Sequence, residues 1–252
     1  YIYINMTTTL DELAAKGDLE FNDGIYITIN DITIKTGTNL IIDSDQTLQN
    51  SSKITNNGTI TNNGTITNYG TLKNSKEISI SGSLSIGGTL ENTGNIYIVN
   101  GGNMWNGTNN AKITNKKDGT IKNKGLWQMS NGQLENYGII TNFQDKTGNK
   151  ITNNNTKIIN NGTIENNGRF EFINSNETIK YSGSKQIINT NGTITIKHNN
   201  ENIQDIMDLS GNLMSDSGGP YEITFTKNAN FTKNITLDNI KLTISNEILL
   251  NI

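Results

Sequence analysis

The sequence predicts an all-β, single-stranded parallel β-helix (β-solenoid), and three registers within residues 54 to 99 predict it. Ile54, Ile60, Ile66, Leu72, Ile78, Leu84, Leu90 and Ile96 recur every six residues without a break. Gly58, Gly64, Gly70, Gly82, Gly88 and Gly94 hold a second register, missing only at Lys76, and Asn56, Asn62, Asn68, Asn74 and Asn92 hold a third. A fixed period with one aliphatic, one glycine and one asparagine per unit marks stacked repeats, each unable to bury its apolar residue alone.

The unit reads Gly-Thr-Ile-Thr-Asn-Asn. Its β-branched core favours extended backbone, and strand alternation sends Ile to one side and both Thr to the other. Asn-Gly supplies the bend, since both residues tolerate positive φ. Three units would close a triangular coil of about eighteen residues, stacked on the next at ~4.8 Å. Asn-Gly between extended segments also signals a β-hairpin. A ladder of hairpins would leave the Ile face of a thin sheet uncovered, whereas stacked coils gather every Ile into one interior, so the solenoid is preferred. Asparagines at equivalent corners can bond one another along the axis, as in cross-β ladders.

Composition agrees with a narrow core. Of 252 residues only 32% are hydrophobic, which in an aperiodic chain would suggest disorder. Net charge is −3, and Arg169 is the only arginine, so the electrostatic footprint of a nucleic-acid binder is missing. No apolar run reaches membrane-spanning length. Without cysteine there are no disulfides or thiolate metal sites. The chain begins at Tyr1 rather than Met, so it reads as processed or as a fragment, with any export signal outside it.

In chain order, residues 1–18 read as an N-terminal cap. A strand over 1–6 precedes a short helix from Leu10 to Lys16, N-capped by Thr8 or Thr9 and ended by Gly17 at C′. Its apolar face of Leu10, Leu13 and Ala14 would cover the open end of the first coil. Residues 19–198 read as solenoid. They open with the alternating Ile25, Ile27 and Ile29, Ile32 and Ile34, Leu40 and Ile42, and Leu48, set between less regular corners. After Ile96 the motif returns at uneven spacing, as at Gly119-Thr120-Ile121 and Gly162-Thr163-Ile164. Loops at corners suit a right-handed coil better than the strict left-handed hexapeptide kind. Ile203, Ile206 and Met207 have helical spacing, so 199–220, closed by Pro220, reads as a helix and loop. Residues 221–252 alternate again, as a closing sheet or further coils. Ten to fourteen coils would make a rod of roughly 50–65 Å.

Chemistry is sparse, and no catalytic residue, metal ligand or cofactor is assigned. His198 is the only histidine, and no Gly-Xaa-Ser-Xaa-Gly elbow supports a triad. Asp43 with Asp45, and Asp205 with Asp208 and Asp216, are the only loose acid groups. A solvated turn explains the first pair better than a calcium or acid-pair site. The Thr pairs at 59 and 61 and at 65 and 67 resemble ice-binding arrays, but they fall on consecutive sides of a coil rather than one stacked side. Aromatics gather between 97 and 143: Tyr97, Trp105, Trp127, Tyr137 and Phe143. Trp105, Trp127 and Tyr137 are candidate glycan contacts, with core or loop packing the competing assignment. Sequons occur at Asn5, Asn50, Asn57, Asn63, Asn106, Asn154, Asn161, Asn176, Asn191, Asn230 and Asn234. An Asn-Gly-Thr repeat generates them by accident; Asn57, Asn63, Asn106, Asn161 and Asn191 are the candidate glycosylation sites.

The run Ile-Thr-Asn-Asn-Gly-Thr-Ile-Thr-Asn-Asn-Gly-Thr-Ile-Thr-Asn-Tyr-Gly-Thr-Leu resembles the repeats of filamentous-haemagglutinin-like adhesins and of related surface or virion fibre proteins, over about residues 20 to 200 in texture. The resemblance implies a right-handed β-helix displayed outside a cell or on a virion, with an N-terminal cap. A non-enzymatic fibre or adhesin segment is then expected, a stiff spacer contacting a host-surface glycan or receptor, with self-association or further chain at its ends. A polysaccharide-degrading β-helix and a purely architectural assembly subunit are the alternatives.

Overall fold

The computed structural model describes residues 6–143, 150–154 and 156–174, and beyond them the strands spanning 181–182, 187–189, 193–198, 221–225, 229–230, 240–244 and 250–251. Short strands wind as a β-solenoid, three to a coil, and build three long sheets, with Ala229–Asn230 and Leu250–Asn251 pairing as a separate two-stranded sheet. Sheet A runs from Met6–Thr9 through Thr38–Ile42, Thr59–Asn62 and Glu77–Ile80 to Ile187–Asn189. Sheet B starts with the antiparallel pair Leu19–Asn22 and Ile25–Thr28, then runs parallel through Thr65–Asn68, Ser83–Ile86 and Asn103–Asn106 to Ile240–Ile244. Sheet C runs from Ile32–Ile34 through Lys53–Asn56 and Thr71–Asn74 to Tyr181–Ser182.

The register confirms the eighteen-residue coil. Ile60 lies beside Ile78 and Ile78 beside Ile96; Ile66 lies beside Leu84, and Leu72 between Ile54 and Leu90. All eight aliphatics of the regular register are buried. Removing each from water contributes roughly 1.5–3 kcal/mol. Sheet C has eight strands, so eight coils carry all three sides among the described residues, and sheet B continues the stack with three more parallel strands. Seven rises of ~4.8 Å make the eight-coil stack about 34 Å long. The spacing lengthens beyond the regular stretch, where Leu90 pairs with Ile113 and Ile96 with Ile121.

Strand parity puts the Asn that closes a repeat strand inside, beside the Ile. Asn56 Nδ2 donates to Asn74 Oδ1 at 2.7 Å and to the Glu77 carbonyl at 2.7 Å. The column continues through Asn92, Asn115, Asn136 and Asn160, at 2.8 Å per step. A second column joins Asn123, Asn142 and Asn166, and a third joins Thr28, Asn50 and Asn68. Each amide thus satisfies its neighbour and a buried carbonyl of the next coil, which is how a polar group becomes tolerable in a core. Apolar residues interrupt the columns. Ile80 stands above Asn62, whose Oδ1 has no donor, and Ile86 and Met129 flank Asn106.

The corner glycines serve a purpose other than the expected positive φ. Among the described residues the glycines with positive φ are Gly17, Gly24, Gly37, Gly101 and Gly132, and none belongs to the 58-to-94 register. Those glycines are required by close approach instead. A Cβ at Gly82 would fall 2.0 Å from the Gly64 carbonyl oxygen, and one at Gly88 would fall 2.2 Å from that of Gly70. Glycine stacks on glycine, and the backbone itself fills the corner.

The cap helix spans Leu10–Ala15, with Thr9 as N-cap. Glu12 N donates to Thr9 Oγ1 at 3.2 Å and Thr9 N to Glu12 Oε2 at 3.4 Å, a capping box. Gly17 N bonds to the Ala14 carbonyl and Asp18 N to that of Leu13, closing a Schellman end. Leu10 and Leu13 join the core. The first described strand is Met6–Thr9, paired with Thr38 to Ile41, and residues 1–5 of the strand expected over 1–6 lie outside the described residues. In Ile25–Thr28 the parity is the reverse of that suggested by the isoleucines. Tyr26 and Thr28 point inward, Ile25 and Ile27 are half-buried, and Ile29 is exposed. Hydrogen bonds select this phase: Tyr26 Oη donates to Asp11 Oδ1, and Thr28 Oγ1 donates to Asn50 Oδ1 while accepting from Ser51 N and Ser52 N. At the other end, Tyr221–Phe225 and Ile240–Ile244 extend sheet B in parallel, as further strands of the same side. The expected helix within 199–220 lies outside the described residues.

Candidate functional site

The outward positions are where a solenoid meets other molecules, and the three candidate aromatics divide among three environments. Trp127 is a core residue, 0% exposed, which corrects its assignment as a glycan contact. It lies two residues after the corner Gly125, the phase that the Gly-Thr-Ile unit sends inward, and it packs between Met104 and Ile151 of the adjacent coils. Trp105 points out of sheet B and is 43% exposed. Tyr137 is 44% exposed at the corner leading from sheet C to sheet A, so it does not share a surface edge with Trp105.

The residue that does share the edge is Tyr69, 58% exposed at the corner leading from sheet B to sheet C. A Cβ on Gly87 would fall 3.0 Å from Tyr69 Cδ1, and one on Gly107 would fall 2.2 Å from Trp105 Cζ2. Each ring therefore lies against a glycine that leaves room for it. Trp105 Nε1 donates to Ser130 Oγ at 3.1 Å, and Thr108 Oγ1 donates to the Gly87 carbonyl at 2.8 Å. The strands leading to Tyr69 and holding Trp105 are two coils apart in sheet B, about 10 Å along the axis. Between them the outward side chains are Thr65, Thr67, Ser83, Ser85 and Asn103, all uncharged. The edge thus combines two apolar ring surfaces with neutral hydroxyl and amide groups on a backbone that cannot yield.

Charge is concentrated on sheet C. Glu91 lies between Lys73 at 3.4 Å and Lys116 at 3.3 Å, and Lys112 pairs with Glu135 at 2.9 Å. Partial burial raises the Glu91 pKa, but the Lys116 hydrogen bond and charge, helped by Lys73, overcome this and hold it below the usual carboxylate range. On sheet B, Glu171 is 1% exposed although its neighbours Phe170 and Phe172 take the inward positions; Lys150 at 2.8 Å and Arg169 at 2.5 Å pair with it. Lys122 sits 5.5 Å from the Tyr97 ring centroid and Lys124 5.2 Å from that of Phe143, so both aromatics are already engaged.

Among the described residues there is no group of three or more His, Cys, Asp or Glu able to hold a metal. Asp43 and Asp45 lie in an exposed turn rather than on one strand face. No helix among the described residues is long and apolar enough to cross a membrane. Of the candidate glycosylation sites, Asn63 is exposed, while Asn57 and Asn161 are half-buried. Asn106 is a correction: it is buried, and its Nδ2 donates to the Asn131 carbonyl at 2.8 Å and to Thr156 Oγ1 at 3.2 Å, so a glycan cannot be attached to it in the folded chain. Asn50, another sequon, is buried in a ladder. Asn191 lies outside the described residues. Comparison with family models, with curated proteins and with solved structures returns no match.

Proposed function

We propose that this chain is a non-enzymatic, extracellular or virion-surface fibre segment whose Tyr69–Trp105 edge contacts neutral glycans. The observation that supports the reading is the pair of exposed rings seated on Gly87 and Gly107, two coils apart on one edge, among uncharged hydrogen-bonding side chains. An aromatic face covers the apolar face of a sugar ring, and Ser, Thr and Asn bond its hydroxyls. Because every coil is tied to the next by ladder bonds, the edge is pre-organised and loses little entropy on binding. The polysaccharide-cleaving alternative needs a carboxyl held protonated as general acid. The displacement of Glu91 runs the opposite way, and we read its lysine contacts as surface ion pairing.

A panel of immobilised neutral oligosaccharides tests the proposal. Wild type should bind a subset, with Tyr69→Ala and Trp105→Ala each weakening it tenfold or more, equivalent to about 1.4 kcal/mol, and Tyr137→Ala leaving it unchanged. Binding that survives Tyr69→Ala combined with Trp105→Ala would overturn the site, and release of shortened sugars from any polymer would overturn the non-enzymatic reading.

A further inference from the structure

We propose that Asn100 is a site of self-modification, where the chain converts asparagine to aspartate and isoaspartate through a succinimide, and that the stacked coils shield the other described Asn-Gly pairs from the same reaction. The sequence carries Asn-Gly at residues 57, 63, 100, 106, 131, 161 and 167 among the described positions. Chemically these dipeptides are equivalent. The glycine nitrogen attacks the asparagine Cγ and gives its proton to solvent; the new N–Cγ bond forms, the Cγ–Nδ2 bond breaks and ammonia leaves. Water then opens the succinimide at either carbonyl. One water is consumed, one ammonia is released, and nothing is oxidised or reduced.

Ring closure requires the glycine to swing its amide plane toward the side chain, and the fold permits this very unevenly. At Gly58, Gly64, Gly132, Gly162 and Gly168, a Cβ position would lie within 2.1–2.4 Å of a backbone carbonyl oxygen of the coil below, and at Gly107 it would lie 2.2 Å from the Trp105 indole. The first five are clamped between layers, and Gly107 is covered by the indole of its own coil. Gly64 N is also bonded to the Ile42 carbonyl and Gly162 N to that of Asn136, which withholds the nucleophile. Asn106 has its side chain buried with its amide committed. Gly101 alone of the seven has nothing within 4 Å of its Cβ position, at φ +84°. Asn100 is exposed, and the pair forms the outer two residues of a turn closed by Gly102 N donating to the Val99 carbonyl at 2.8 Å.

Clamped pairs can react only after a coil opens locally, so their rates are scaled down by the opening equilibrium. The test is peptide mapping by mass spectrometry after incubating the intact chain at mildly alkaline pH, with isoaspartate detected by protein isoaspartate methyltransferase. Asn100 should convert more than tenfold faster than Asn57, Asn63, Asn106, Asn131, Asn161 and Asn167, a ratio equivalent to about 1.4 kcal/mol or more. In urea the seven rates should converge, and Asn100→Ser should abolish the fast phase without changing the circular dichroism. Conversion at any clamped pair as fast as at Asn100 in the folded chain, or ranking that persists unchanged in urea, would overturn the proposal.

Discussion

Replacing Gly82 by alanine tests whether glycine holds the corner by steric necessity. The new Cβ would fall 2.0 Å from the Gly64 carbonyl oxygen and 2.5 Å from that of Asn63, so these layers must separate by about 1.4 Å to restore ordinary contact. Three backbone bonds cross that gap: Ser81 N to the Asn62 carbonyl at 2.9 Å, Gly82 N to the same oxygen at 3.0 Å, and Ser83 N to the Gly64 carbonyl at 2.8 Å. The native chain already shows the smaller response. At the Lys76 corner, Ser75 N reaches the Asn56 carbonyl at 2.8 Å, no companion bond from Lys76 accompanies it, and Glu77 N stands 3.2 Å from the Gly58 carbonyl. One bond lost sets a lower bound of about 1 kcal/mol, and all three set an upper bound of about 3 kcal/mol. Gly24→Ala is the control, since at φ +82° with open space it meets only backbone strain, about 1–2 kcal/mol. Urea titration gives the global cost, and native-state hydrogen exchange at residues 81–83 shows where it falls. Faster exchange confined to residues 81–83 and their neighbours is expected for Gly82→Ala. Unchanged protection there, with no more destabilisation than Gly24→Ala, would refute close approach as the reason for glycine.

Four further outcomes follow from the same contacts. Asn74→Ala should destabilise by about 1–3 kcal/mol, because Asn92 Oδ1 loses its donor; Asn74→Ile should cost less, since Ile80 and Ile98 fill equivalent corners, and urea midpoints rank the two. Tyr26→Phe should cost about 1.5–3 kcal/mol in thermal unfolding by removing the hydroxyl that donates to the Asp11 carboxylate on the cap helix. The Asp11 hydrogen bond, burial and the Asp11 charge raise the Tyr26 pKa, so its contribution is complete below the ordinary tyrosine value of about 10 and is lost as pH rises through the folded value; the variant should lack that alkaline loss. For Glu91 the sign reverses: a lowered pKa contributes above the ordinary glutamate value of about 4.3 and is lost as pH falls through the folded value, so Glu91→Gln should flatten the acid limb by at most about 1 kcal/mol and less at high salt. Acrylamide should quench Trp105 and spare Trp127, and Trp105→Phe should remove the quenchable component.

Much of the fold was legible because a six-residue period is two strand repeats plus a corner, and only the inward phase of each strand must be apolar or paired. The rule that the second and fourth residues after a corner glycine point inward places Trp127, Asn106 and Met104, so a stricter use of it would have withdrawn Trp127 and Asn106 from the candidate sites. The same rule identifies Tyr69 and Tyr137, each in an Asn-Tyr-Gly corner where the middle residue faces solvent. Sequence reading passed over Tyr69 because it lies inside the most regular stretch, where the pattern drew attention and the exception did not. In Ile25–Thr28 local hydrophobicity misled: hydrogen bonds donated by Tyr26 to Asp11 and by Thr28 to Asn50, acceptors distant along the chain, outweighed the burial of three isoleucines.

The sequence by itself determined the solenoid, the eighteen-residue coil, the cap helix and the axial asparagine ladders, because each depends on residues close in sequence or on a strict period. Tertiary structure decided which aromatics share an edge, which Asn-Gly pairs are clamped, and why the corners demand glycine. Those properties arise between coils, where residues some eighteen or more positions apart approach within a few ångströms, and no local pattern records how closely two layers of backbone will pack.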